Sequence, residues 1–390
     1  MAPTTTPVPS ATNTPTGRPT AAGPGTLAYV TVPESAAVAV VDIATYETLA
    51  TIPVGFGPRF VATTPNGQFA YVTDPSIVVM SVISTATNTV TATVPVGVEA
   101  RTIAITRDGA TAYVMANGLG SVLAIDTATN MVTGSFFLGG AQQLQPRTAL
   151  ALSPNGREVW AGNSDPYGEH TVVEVFDTAT KQVTNIGVPG GNTWSIAFSP
   201  NGRVVYVTVD LGIAVIDTVT HAITKMITVS GGTPLEVAFT PNGAFAYVTN
   251  GGPLVSVIDA STHTEVSTVS IPNSATGVAV SSDGAFVYVA MAKSGSRDPG
   301  VAVIDTQTNT VVAAALTDEN LFSATDIALA SLPTTSLATP TRVVATATPT
   351  ERASSCGQCT CTGDGNGDGE VTIDEIITAV NNDLSGCPAQ

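Results

Sequence analysis

Pro241-Asn242-Gly243-Ala244-Phe245-Ala246-Tyr247-Val248-Thr249-Asn250 is a tight turn feeding an apolar strand, and near-copies of it organise most of the chain. The turn recurs as Pro65-Asn66-Gly67, Arg107-Asp108-Gly109, Pro154-Asn155-Gly156, Pro200-Asn201-Gly202 and Ser282-Asp283-Gly284, with successive glycines 42, 47, 46, 41 and 41 residues apart. A period of that length reads as a four-stranded propeller blade. Asn-Gly and Asp-Gly are strong hairpin signals because both residues accept the positive φ that a tight turn between twisted strands demands. The next strand carries Tyr71-Val72-Thr73, Tyr113-Val114, Tyr206-Val207-Thr208, Tyr247-Val248-Thr249-Asn250 or Tyr288-Val289, and Trp160 takes the tyrosine place in the remaining repeat. These aromatics are expected to pack between blades.

A second signature closes each unit, where a Val/Ile-rich strand ends in Asp-x-x-Thr: Asp42 to Thr45, Asp126 to Thr129, Asp177 to Thr180, Asp217 to Thr220, Asp259 to Thr262 and Asp305 to Thr308, with Ser84 to Thr87 as the seventh. The Asp and Thr side chains are suited to bonding the backbone amides of a turn that joins the third strand to the fourth. Seven outer hairpins stand against six inner turns, because the first unit, Leu27 to Gly55, lacks an innermost strand. Ala324-Thr325-Asp326-Ile327-Ala328-Leu329-Ala330 has the inner-strand pattern and is expected to complete the first blade, closing the ring and leaving no open edge between blades.

Through these paired signatures, residues 26 to 332 resemble the YVTN repeat family of β-propellers, known from microbial surface proteins and related periplasmic or secreted ones. Tyr247-Val248-Thr249-Asn250 is the literal match. The expected fold class is all-β, a seven-bladed propeller closed by its terminal strand. Function does not follow from that resemblance, since such propellers host binding proteins and several enzyme classes.

Composition agrees with an all-β chain of 390 residues: 43% of them are hydrophobic, only 11% are charged, and Val, Thr, Ala and Gly dominate. Thirteen basic against 30 acidic residues give a formal charge of −17, which argues against attraction to nucleic acid or anionic lipid. No uncharged apolar run approaches the roughly 18 residues of a membrane span, and no signal peptide follows Met1. Residues 1 to 25 and 333 to 354 are rich in Thr, Pro and Ala and read as extended tethers. An N-terminus that opens in tether composition points to a cleaved or misassigned start, or to a piece of a larger surface protein.

Residues 355 to 390 read as a separate small module. Asp364-Gly365-Asn366-Gly367-Asp368-Gly369-Glu370-Val371-Thr372-Ile373-Asp374-Glu375 fits the twelve-residue calcium loop of an EF-hand. Asp364, Asn366 and Asp368 supply oxygens at positions one, three and five, Gly369 allows the sharp turn, Glu370 offers its carbonyl, Thr372 a direct or water-mediated oxygen, and Glu375 a bidentate carboxylate. Ile373, Ile376, Ile377, Val380 and Leu384 continue along one side of a helix. Calcium is therefore the expected cofactor. All four cysteines, Cys356, Cys359, Cys361 and Cys387, lie in this segment. Two disulfides in an oxidising compartment are expected, with three connectivities open and a four-cysteine zinc site as the rival. The loop and helix resemble one half of a dockerin, which implies a cohesin-like partner; only one such half is present, and Glu375 departs from the Asp or Asn often found late in dockerin loops.

Catalytic groups are sparse. His221 and His263 occupy the repeat position held elsewhere by Asn88, Asn130 and Asn309, so they read as turn residues tolerant of left-handed backbone, and His170 sits in an insertion. No Gly-x-Ser-x-Gly elbow or phosphate-binding loop occurs. Arg59, Arg101 and Arg147 stand at the entrances to three consecutive inner strands, where three guanidinium groups could hold an anionic or carbohydrate ligand. The expectation is a monomeric, extracellular or cell-surface binding or scaffold protein, with a protein or glycan partner at the propeller face. The competing reading is a lactonase-like propeller hydrolase, which would require acid/base groups converging at the channel mouth.

Overall fold

Aligning the repeats predicts seven sheets, and a computed structural model contains them. It describes residues 26–97, 99–116, 121–138, 149–163, 171–292, 300–316 and 324–331. Each sheet has four antiparallel strands. Their inner strands are Ile327–Ser331, Phe60–Thr63, Ala100–Ile105, Leu150–Leu152, Thr193–Phe198, Val237–Phe239 and Ser274–Val280, here taken as blades one to seven. These strands pack against one another in cyclic order, the seventh against the first. The chain is a seven-bladed β-propeller.

Closure occurs as the sequence implies. Ile327–Ser331 pairs antiparallel with Thr26–Val32, with Val30 opposite Ile327 and Thr26 opposite Ser331. The two ends of the propeller thus complete one sheet, and no inner edge is left to pair with another chain. Among the described residues no helix is long and apolar enough to cross a membrane.

The inner turns differ from the expected geometry. Only the glycine takes positive φ, near 70° at Gly67, Gly109, Gly156, Gly202, Gly243 and Gly284, while the Asn or Asp before it does not. Gly67 N–H closes onto Thr64 O at 2.8 Å, so Pro65 and Asn66 hold the two central positions of the turn. Proline fixes its own φ near −65° and draws the turn into the common right-handed form. Asn66 Oδ1 then accepts the Gln68 N–H at 3.0 Å and the Thr64 hydroxyl at 2.7 Å, a pattern repeated at Asn155, Asn201 and Asn242.

The Tyr-Val-Thr strands explain how blades hold together. Their second and third strands are buried on both faces because each face meets a neighbouring blade, which is why they read as near-continuous apolar runs. Tyr29, Tyr71, Tyr206, Tyr247, Tyr288 and Trp160 are all fully buried. Each of four tyrosine hydroxyls reaches the outer hairpin of the next blade: Tyr29 to Asn88 Oδ1 at 2.6 Å, Tyr71 to Asn130 Oδ1 at 2.7 Å, Tyr206 to His263 Nδ1 at 2.7 Å and Tyr247 to Asn309 Oδ1 at 2.6 Å. At the other end of the same strands Thr31, Thr208 and Thr249 donate to Arg59 O, Leu235 O and Thr276 O, at the start of the next inner strand. The motif is therefore a pair of staples between blades, each bond contributing about 1 kcal/mol.

The outer hairpins match expectation. Asp177 Oδ1 accepts the N–H groups of Ala179 and Thr180 at 2.8 Å, and Asp42, Asp217, Asp259 and Asp305 do the same in their own turns. These amide bonds hold the Asp177 carboxyl down at about 2, with Arg157 helping. The residue after the threonine is left-handed in all seven hairpins: Tyr46, Asn88, Asn130, Lys181, His221, His263 and Asn309. His221 and His263 are turn residues, as their repeat position implies.

Candidate functional site

Superimposing the inner strands on their turns puts Asp326, Phe60, Thr102, Ala149, Ser195, Glu236 and Gly277 at one repeat position, one per blade. All but Gly277 line a cavity of about 160 Å³ between the inner strands, joined by Trp194 at its rim. This cavity lies on the propeller axis, since its walls come from six successive blades. Two carboxyl groups thus face a narrow lumen otherwise lined by aromatic, hydroxyl and aliphatic side chains.

Gly277 lets the two acids approach. A Cβ there would lie 2.9 Å from Asp326 Cα and 3.2 Å from Ile327 N, so only glycine allows blades seven and one to close this tightly. Glu236 and Asp326 flank that glycine from the blades on either side. Asp326 Oδ2 accepts the N–H of Val61 in blade two at 2.8 Å, and Oδ1 accepts its neighbour Ile327 N–H at 2.8 Å. Glu236 Oε2 accepts the N–H of Val278 in blade seven at 3.1 Å. Each carboxyl therefore ties its own blade to the next.

Burial pushes the Asp326 carboxyl up to about 7, against the pull of the Val61 and Ile327 amides. Burial also raises Glu236 well above the usual carboxylate range, the Asp326 charge adds to that, and the Val278 amide opposes it. Two carboxyl groups facing one poorly solvated lumen cannot both ionise cheaply, so the pair titrates as a unit and keeps a proton near neutral pH.

The rim carries the arginines. Arg59 is exposed and Arg101 half-buried. They are close enough to interact: burial lowers Arg101 below the usual guanidinium value, Glu99 counters that, and Arg59 adds to the lowering. Arg101 Nε is buried with no hydrogen-bond partner. Arg147 lies outside the described residues. Trp194 is held at the rim by its Nε1–H bond to Asp210 Oδ1 at 2.7 Å, and Asp210 Oδ2 also accepts Asn192 N–H at 2.9 Å. Gly191, at φ 86°, leaves room for that carboxylate.

Asp364, Asn366, Asp368, Glu370, Thr372, Glu375 and the cysteines Cys356, Cys359, Cys361 and Cys387 lie outside the described residues, as does His170. Among the described residues no group of three or more His, Cys, Asp or Glu side chains converges as a metal ligand set. Sequence reading singled out Arg59, Arg101 and Arg147 and missed the carboxyl pair. The signal was present: in the repeat alignment two acids occupy a position that five blades fill with uncharged residues.

Several solved structures share this fold. One titled Kuenenia stuttgartiensis hydrazine synthase matches with a TM-score of 0.63 and 21% identity, covering 71% of this chain and 92% of that one. A functionally unknown protein from Desulfotomaculum acetoxidans matches at 0.65 and 15%, over 79% of this chain and 99% of that one. Dihydro-heme d1 dehydrogenase NirN, in complex with DHE, matches at 0.56 and 17%, over 78% and 66%. At such identities the likeness is one of fold. No family model and no curated protein matches the chain.

Proposed function

We propose that this is a secreted or cell-surface binding protein of the YVTN type, which engages a protein or glycan partner at the channel mouth. The observation that carries the reading is the rim itself. Arg59 and an Arg101 whose Nε lacks a protein partner immediately precede Phe60 and Thr102, which line a small polar lumen together with Trp194. Convergent polar groups beside aromatic faces are what a recognition site needs. The Asp364 to Glu375 loop supports calcium binding in the C-terminal module, and its half-dockerin character supports attachment to a cohesin-like partner. The test is a glycan and protein array probed with the full chain and with an Arg59→Ala/Arg101→Ala variant. The variant should lose ligands that the parent retains, and a variant that keeps every ligand overturns the rim as the site. Calcium titration of the full chain should give one site that Glu375→Gln weakens at least tenfold; heat of binding unchanged by that substitution removes calcium from the reading.

A second reading has a specific observation in its favour. Glu236 and Asp326 are the converging acid/base groups that a channel hydrolase would require, one poised to donate a proton and the other to accept one. Hydrolysis of chromogenic lactones or glycosides, lost in Glu236→Gln, would establish it. No turnover above the variant's background leaves the binding reading alone.

A further inference from the structure

The junction between blades four and five breaks the repeat. At four other junctions a tyrosine hydroxyl reaches the left-handed residue of the next outer hairpin, but here Trp160 replaces the tyrosine. Its indole N–H turns back to Glu158 Oε2 at 2.9 Å. Glu158 itself stands where the other blades have Leu27, Phe69, Thr111, Val204, Phe245 and Phe286. The residue that tyrosine would have capped, His221, is left edge-on to the Trp160 ring at 5.4 Å. A cleft of about 490 Å³ lies at this junction, lined in part by Glu158 and His221, within the range of small-molecule sites and larger than the channel cavity.

The chemistry of the cleft selects its occupant. Glu158 Oε1 and His221 Nε2 face each other at 3.8 Å, both about a quarter exposed. That gap is too long for a direct hydrogen bond, and one hydroxyl oxygen set to the side of the pair, within reach of both atoms, would donate to the carboxylate and accept from the imidazole. Arg157 pairs through Nε with Asp177 Oδ2 at 2.9 Å, so the neighbouring cation is already neutralised while its remaining N–H groups stay exposed as donors. The cleft therefore favours a neutral ligand over an ion. Phe198, packed edge-on against Trp160 at 5.5 Å, and Val219, 87% exposed, supply an apolar wall.

We propose that the blade four/five cleft is a saccharide site, in which a ring hydroxyl bridges Glu158 and His221 and an apolar sugar face lies against Phe198 and Val219. This site is separate from the channel and does not depend on the reading given to it.

The test is saturation-transfer NMR and calorimetric titration of the full chain with methyl glycosides of the common hexoses and N-acetylhexosamines. At least one should bind, and Glu158→Gln and His221→Asn should each weaken it tenfold or more. Glutamine still accepts the Trp160 N–H, and asparagine is the residue this hairpin position carries in three other blades, so both variants retain the fold. Glu236→Gln should leave the binding unchanged. Failure of every methyl glycoside to bind the parent overturns the proposal, as does binding that survives both cleft substitutions. Binding lost only in Glu236→Gln also overturns it, and would place the sugar in the channel instead.

Discussion

The buried carboxyl pair makes this propeller lose stability as the solution is made more alkaline. Asp326 in the folded chain titrates at about 7, against 3.8 for an ordinary aspartate. The folded state therefore binds a proton that the unfolded state has released, and stability falls as pH rises between those two values. The contribution is fully present below about pH 4 and is lost as pH passes through 7. Three pKa units at about 1.4 kcal/mol each amount to about 4 kcal/mol. The exposed turn aspartates Asp126, Asp177, Asp217 and Asp259 have lowered values, so their stabilisation is lost only as pH falls below about 4, outside this window. Urea denaturation of the full chain followed by tyrosine and tryptophan fluorescence, from pH 4.5 to 8.5, reads the effect directly. The parent should lose about 3 kcal/mol across that range, the part below pH 4.5 having already gone. Glu236→Gln removes the raised titration of Glu236 itself and should shrink the loss, and a Glu236→Gln/Asp326→Asn double variant should be nearly flat. A parent whose stability is level or rises from pH 5 to 8 refutes the shared proton.

Other consequences follow from the joints between blades. Tyr247→Phe removes the bond to Asn309 and should cost about 1 kcal/mol in urea, with the m-value unchanged. Gly277→Ala forces a Cβ against the Asp326 backbone and should cost about 1–3 kcal/mol, with a lower midpoint in thermal unfolding. A chain ending at residue 323 lacks the closing strand and exposes Thr26–Val32 as an open edge, so it should aggregate on size exclusion, whereas one ending at 337 should elute as a monomer.

Much of this architecture is written in local pattern. A repeat of 41 to 47 residues, strands apolar on both faces and a lone inner strand after the seventh outer hairpin prescribe the ring and its closure, because each follows from how a strand buries its alternate side chains. The left-handed histidines were equally legible, since only a few residue types occupy that backbone comfortably. The inner turns were misjudged over one residue: asparagine tolerates positive φ, yet a preceding proline and the fit of its side chain to the backbone amides keep it right-handed. Neither functional cluster is visible in this way. Glu236 and Asp326 are 90 residues apart, and Glu158 and His221 are 63 apart. Each is a single departure from the repeat, and a departure has no partner until the ring closes. Periodic burial acts along a strand and can be read from it, whereas a shared lumen or a bridging hydroxyl depends on side chains from different blades that only the closed ring brings to one place.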